Sequence, residues 1–279
     1  PMIEDAKWAI GSMGDDAALA CLSDQPRMLY HYFKQHFAQV TNPAMDSINE
    51  GTVMSLFSTL GAEKNILEET PEHARLLRCD RPVITNDELQ RIRELDRDGF
   101  EVRTFGALFK VAEQGEGLRL ALRQLCRDVE GAVREGTSLI VLSDRGVSAD
   151  QAPLPMLLAT GAVHHHLVRE GLRTQCGLLC ETGEARDVAQ FALLVGYGAG
   201  AINPYLAFDT IGELVEEGTF VGDEFDRDTA VANYLKATDK GLMKTMAKMG
   251  ISTLHSYRGA QIFEAVGIKR EVVDECFTG

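Results

Sequence analysis

In the second half of this sequence, polar clusters repeatedly close short apolar runs. They read Arg103-Thr104-Phe105, Ser143-Asp144-Arg145-Gly146, Glu181-Thr182-Gly183, Asn203-Pro204-Tyr205 and His255-Ser256-Tyr257-Arg258. Two carboxylates, Asp144 and Glu181, joined by Arg145, Asn203 and Arg258, are a minimal set for general acid–base work on a small polar substrate. The same residue types also cap helix starts by accepting from free backbone N–H groups, so caps are an equal reading. Four further patterns fall short of a site. Gly196-Tyr197-Gly198-Ala199-Gly200 has dinucleotide-loop spacing, but that loop must follow a strand and open a helix. Here a helical stretch precedes it and a strand follows, which makes it a helix-to-strand turn. His164-His165-His166 cannot converge on one ion from a helix, where consecutive side chains point about 100° apart. Cys176 and Cys180 lie about 13 Å apart along a strand. With Cys21, Cys79, Cys126 and Cys276 scattered singly, no metal or cluster spacing exists, and buried packing is the expected role of all six. Arg258-Gly259-Ala260-Gln261 could seat a phosphate or carboxylate at a helix start, but with no glycine-rich phosphate loop beside it, an ordinary strand-to-helix turn is the favoured reading.

These clusters must be positioned by the elements they terminate. Strands are expected at Glu101 to Phe105, Ser138 to Asp144, Cys176 to Glu181, Gly200 to Tyr205 and Gly250 to Ser256. Helices are expected at Gly117 to Arg134, Leu154 to Glu170, Glu184 to Val195 and Thr229 to Met249. Leu139-Ile140-Val141-Leu142 is apolar without alternation, as a parallel strand covered on both faces should be. Glycine falls where each helix should end, at Gly136, Gly171, Gly198 and Gly250. Alternating strand and helix gives an α/β fold, and a (β/α) TIM-barrel-like arrangement is the preferred form. Residues 1–100 read as a largely helical and irregular segment, and residues 101–279 as the (β/α) repeat region. Within the first segment, Leu29, Tyr30, Phe33, His36 and Phe37 recur at helical spacing. Thr41-Asn42-Pro43 forces a turn, an apolar stretch runs from Val53 to Gly61, and Thr85-x-x-Glu88 has the pattern of a capping box opening a helix.

Charge narrows the function classes. Lys and Arg total 28 against 42 Asp and Glu, a net charge of −14 over 279 residues. Such a surface repels phosphate backbones and anionic lipids, which argues against nucleic-acid and membrane partners. No apolar run approaches the ~18 residues of a membrane span. Unframed cysteines fit a reducing compartment, so a cytoplasmic location is expected. A chain opening Pro1-Met2-Ile3 and closing Phe277-Thr278-Gly279 is expected to be a piece of a longer polypeptide.

Long segments resemble the central domain of the glutamate synthase (GOGAT) large chain. They include Asn49-Glu50-Gly51-Thr52-Val53-Met54-Ser55-Leu56, Asn65-Ile66-Leu67-Glu68-Glu69-Thr70-Pro71-Glu72 and Leu142-Ser143-Asp144-Arg145-Gly146. Pro155 through Leu167, with the triple histidine, and Gly250 through Ala265, with His255-Ser256-Tyr257-Arg258-Gly259-Ala260-Gln261, complete the match. The resemblance runs from about Thr41 to the end. It implies glutamate biosynthesis from L-glutamine and 2-oxoglutarate by a multidomain oxidoreductase acting on CH–NH2 donors. In that family a glutaminase (amidotransferase) domain releases ammonia. An FMN-binding domain with a 3Fe–4S cluster makes glutamate, using electrons from an NAD(P)H-dependent small subunit or from ferredoxin. The central domain, related to the FMN domain but without flavin, connects the two and helps wall the ammonia channel. This piece is then expected to be inactive alone and to hold no cofactor or metal. The resemblance also assigns Thr85-Asn86 to the channel wall. Relatives carry a Pro after Asp46 and then an Arg-Glu pair, from which Ser47, Asn49 and Gly51 depart. Two alternatives from the residues themselves are a free-standing (β/α)-barrel enzyme using Asp144 and Glu181, and a small-molecule or protein-binding module.

Overall fold

A computed structural model describes residues 1–7, 18–36, 45, 50–220 and 225–278. Its centre is a parallel sheet whose strands, β1 (Val102–Gly106), β2 (Leu139–Ser143), β3 (Gly177–Glu181) and β4 (Ala201–Asn203), lie in sequential order. Register pairs Gly106 with Ser143, Ser143 with Glu181, and Glu181 with Asn203, so the strand tips are level. The helices between and after them are α2 (Gln114–Arg134), α3 (Met156–Arg169), α4 (Val188–Gly196), α5 (Tyr205–Glu216) and α6 (Arg227–Ala247); α1 (Asn86–Arg93) precedes the sheet. This is the sequential β-α order of a barrel wall, and the chain is α/β. Gly136, Gly171, Gly198 and Gly250 all take positive φ, the left-handed step that ends a helix without a Cβ clash.

Every residue of β2, β3 and β4 is buried, as the unalternating apolar run requires. Side chains still alternate between two cores, because a strand has period two. Ile140, Leu142, Leu178, Cys180 and Ile202 face the helices. Leu139, Val141, Leu179 and Ala201 face the other way, onto Leu60, Cys79, Ile84, Leu89 and Ile92. That inner face is therefore covered by the chain's own preceding segment. The antiparallel pair Ser58–Leu60 and Leu77–Cys79 supplies part of the cover, and α1 supplies the rest. Pro82 to Ile84 bonds to Ile202 as one further parallel bridge beside β4. Close approach depends on small residues, since a Cβ on Gly200 would lie 2.2 Å from a Leu60 methyl.

Four readings of the sequence need correction. Gly250 to Ser256 is not a strand. Thr253 caps a single helical turn, Leu254–Tyr257. Ile251, Leu254 and Tyr257 recur every third residue, and Leu254 and Tyr257 are buried, so the spacing of that motif is a turn's rather than a strand's. Arg258 accordingly does not open a helix; a short strand, Phe263–Ala265, follows it. That strand pairs antiparallel with Phe33–Gln35, so the helical spacing at Leu29 to Phe33 resolves into one 3-10 turn, Leu29–Tyr32, and a strand. Third, the strand expected through Tyr205 stops at Asn203, because Pro204 cannot continue a ladder and instead caps α5. Fourth, Cys21 is exposed, whereas the other five cysteines are buried. The turn at Thr41-Asn42-Pro43 and the departures at Ser47 and Asn49 lie outside the described residues.

Candidate functional site

The carboxyl ends of the strands bring Asp144, Arg145, Glu181 and Asn203 together, and α1 lies across them. Thr85 caps α1 with a complete capping box: its hydroxyl accepts from Glu88 N at 3.2 Å while Glu88 Oε2 accepts from Thr85 N at 2.7 Å. The helix so fixed presents Asn86 at one end and Arg93 at the other. Asn86 Oδ1 accepts from Asn203 Nδ2 at 3.0 Å, and the same amide donates to Ile84 O at 3.1 Å. Arg93 makes a bidentate contact with Glu181, 3.2 Å to Oε1 and 2.5 Å to Oε2. Ser143 donates to Glu181 Oε2 at 2.5 Å, and Arg145 Nε to Oε1 at 2.6 Å.

Glu181 is thus a fully bonded carboxylate, with its side chain only 2% exposed. Burial alone would raise its pKa, but Arg93, Ser143 and Arg145 outweigh that and hold it below the ordinary value. Asp144 moves the other way. Burial raises it, opposed by the Thr182 hydroxyl at 2.7 Å and the Gly183 N–H at 3.0 Å. Arg145 Cζ also sits over the Tyr205 ring, 3.9 Å from its centre, a cation–π contact that holds the guanidinium between ring and carboxylate. Ser143, from the Ser143-Asp144-Arg145-Gly146 cluster, and Arg93, which was not singled out in the sequence, complete the site. Arg93 lies 88 residues from Glu181, and nothing in its local pattern separates it from Arg91.

An acid–base catalyst needs a carboxyl oxygen free to reach a substrate proton. Both oxygens of Glu181 and both of Asp144 already accept protein hydrogen bonds. What the geometry does is clamp α1 onto the strand tips through one ion-pair cluster and one amide pair. Asn203 Oδ1 is the buried acceptor left without a partner among the described residues of this cluster.

Arg258 is not part of it. It lies at the amino end of the sheet, where its Nη1 would sit 3.1 Å from a Cβ on Gly200, the residue just before β4. Its Nη2 donates to His255 Nδ1 at 2.8 Å. The other ring nitrogen, Nε2, lies 2.9 Å from Thr59 Oγ1 and 3.3 Å from Thr59 N. The three consecutive histidines diverge, as their helical spacing predicts. His164 accepts from Arg173 Nε at 2.9 Å, His166 meets Glu130 at 2.8 Å, and His165 stands edge-on to His164. Burial and the neighbouring Arg173 push His164 down to about 3. A cavity of about 280 Å3 opens beside them, walled by His164, Tyr197, Gln261 and Phe263.

The family profile for the glutamate synthase central domain matches residues 1–269. The chain is 45% identical over 281 residues to "Glutamate synthase [NADH]" of Schizosaccharomyces pombe, covering all of this chain and 13% of that protein. It is 46% identical over 277 residues to "Glutamate synthase [NADPH] large chain" of Azospirillum brasilense, covering 99% of this chain and 18% of the relative. Against "Ferredoxin-dependent glutamate synthase 2" of Synechocystis it is 43% identical over 292 residues, again covering 18% of the relative. The chain therefore spans less than a fifth of each of these relatives. No helix among the described residues is long and apolar enough to cross a membrane.

Proposed function

The chain belongs to the family of glutamate synthase central domains, and from that premise we propose that it is a non-catalytic connecting piece of a glutamate synthase large chain. In this reading it joins the glutaminase domain to the FMN-binding synthase domain and supplies part of the wall along which ammonia passes between them. The FMN and the 3Fe–4S cluster belong to other parts of the large chain, and electrons come from an NAD(P)H-dependent small subunit or from ferredoxin. The whole assembly is a cytoplasmic oxidoreductase acting on CH–NH2 donors. Residues 1–100 act as the cover of the strand tips and residues 101–279 as the frame beneath it.

One observation carries the reading. The strand ends, where a (β/α) protein does its chemistry, are occupied by α1, and their charged groups are spent on holding it. Thr85 and Asn86 stand at the start of that helix, against Asn203. A wall for ammonia needs no titrating group of its own. It needs a fixed surface that excludes water, so that ammonia stays neutral and undiluted until it reacts. The clamp supplies rigidity where the wall would run. Leucine and isoleucine side chains cover the inner face of the sheet.

The test uses the chain alone. It is incubated with excess FMN and desalted, its absorbance is recorded from about 300 to 500 nm, and glutamine hydrolysis and glutamate formation are assayed. The expected result is no retained flavin band and no turnover. A stoichiometric flavin band, or turnover abolished by Asp144→Asn, would overturn the reading and restore the strand tips as an active site.

A further inference from the structure

Two arginines meet at the amino end of the sheet without an acid between them. Arg173 reaches the turn before β4 by donating from Nη2 to Gly198 O at 2.8 Å, and from Nη1 to Cys176 O at 2.8 Å. Arg258 reaches the same turn at Gly200. Both are half-buried, so neither is a freely solvated surface cation. Their polar partners are all neutral: two backbone carbonyls and the acceptor nitrogens of His164 and His255. Among the described residues no carboxylate lies within ion-pair distance of either guanidinium. Glu63, on the rim through its backbone bond to Thr174 O, is exposed, and its charge is felt by both arginines. By contrast, Arg93, Arg145 and Arg134 each meet a carboxylate.

Holding two like charges together, partly out of water, is costly unless a counter-charge completes the arrangement. Several guanidinium N–H groups, most of them on Arg258, remain free to donate. A planar or tetrahedral oxyanion accepts from such groups in pairs. We propose that the Arg173–Arg258 pair is an oxyanion-binding site at the amino end of the sheet, taking a carboxylate or phosphate group. The source is either a small free anion or an acidic side chain from the rest of the large chain. His164 and His255 serve as fixed neutral acceptors that orient the two guanidiniums and leave their outer N–H edges to the ligand. Their state agrees with this, since burial and the adjoining arginines hold both imidazoles below the ordinary histidine range. The inference does not depend on the channel reading.

The experiment titrates the isolated chain with inorganic phosphate and with acetate at constant ionic strength, following the arginine Nε–Hε resonances by NMR. The Arg258 signal is identified by its loss in Arg258→Gln. Saturable shifts at Arg173 and Arg258 are expected, weakened about tenfold or more in Arg258→Gln and unchanged in Arg127→Gln, which alters an exposed arginine elsewhere. Arg258→Lys keeps the charge and serves should the glutamine variant not fold; it should weaken binding by a smaller factor. The titration is repeated on the full-length large chain. Binding there assigns the site to a free anion, whereas binding confined to the isolated chain assigns it to a carboxylate of the neighbouring domains. Absence of saturable binding by the isolated chain, or binding unaltered in Arg258→Gln, overturns the proposal.

Discussion

Replacing Glu181 by Gln tests the clamp at its centre. The carboxylate accepts four hydrogen bonds, two from Arg93 and one each from Ser143 and Arg145, and three of them are 2.6 Å or shorter. Glutamine keeps one acceptor and turns the other oxygen into an NH2 group facing Arg93 Nη2 and Ser143 Oγ. A charge-assisted bond is worth about 1.5–3 kcal/mol and a neutral one about 0.5–1.5. Breaking a buried pair by removing one partner costs about 3–5 kcal/mol. Arg145 is 47% exposed and Arg93 27% exposed, so water recovers part of that loss. The expected destabilisation is about 2–4 kcal/mol at pH 7, read from urea unfolding followed by circular dichroism. The sign of its pH dependence follows from the lowered pKa. A carboxylate whose folded pKa lies below its unfolded one adds stability above the unfolded value, near 4.5, and loses it as pH falls through the folded value. The gap between wild type and Glu181→Gln should therefore shrink on acidification below about pH 4.5. A loss under about 0.5 kcal/mol at pH 7, the range of an ordinary surface change, would refute the argument that this cluster holds α1.

Three further outcomes follow. Thr85→Ala removes the capping box of α1 and should cost about 1 kcal/mol, with faster amide exchange confined to residues 86–93. Gly161→Ala places a Cβ 2.4 Å from Cys276 O and under 3 Å from the Phe277 ring. Overpacking of about 1–3 kcal/mol and release of the final helix, Arg270–Cys276, should appear as new proteolysis near the end of the chain. Asp239 has burial pushing it up to about 6, only partly offset by Arg81 at 3.5 Å. Its raised pKa means stability falls as pH rises from about 4 to 6, by at most about 3 kcal/mol at roughly 1.4 kcal/mol per tenfold change in proton affinity. Asp239→Asn should be about 1–2 kcal/mol more stable than wild type at pH 7, and the advantage should vanish near pH 4.

Much of the frame was legible because it rests on local physics. The unbroken apolar run at Leu139 to Leu142 could only be a doubly covered strand, and the glycines at 136, 171 and 198 could only be helix exits. The Thr85 capping box is complete within four residues. One cause of the failures is that short segments follow their tertiary partners. Phe33 to Gln35 is a strand because Phe263 to Ala265 lies beside it, 230 residues away in sequence. Gly250 to Ser256, apolar and β-rich, is turned by the Thr253 cap before any neighbouring strand can pair with it beyond Ser55. Sequence placed Asp144, Glu181 and Asn203 at strand tips but read the two carboxylates as potential acid and base. That Arg93 neutralises one of them depends on α1 crossing the tips, which no local pattern encodes. The electron donor is not encoded in this segment either. Relatives named for NADH, NADPH and ferredoxin match it at 45%, 46% and 43% identity.

The most direct test of the connecting role is made on the full-length large chain with its electron donor, comparing wild type with Arg93→Met. Glutamine consumed, glutamate formed and ammonia appearing in the medium are measured together, with glutaminase activity and synthesis from added ammonium salts assayed separately. If α1 clamped on the strand tips walls the ammonia route, both separate activities persist in the variant while free ammonia rises and glutamate formed per glutamine consumed falls. A wild-type ratio with no ammonia escaping, in a variant whose α1 is shown by amide exchange to be loosened, would contradict it.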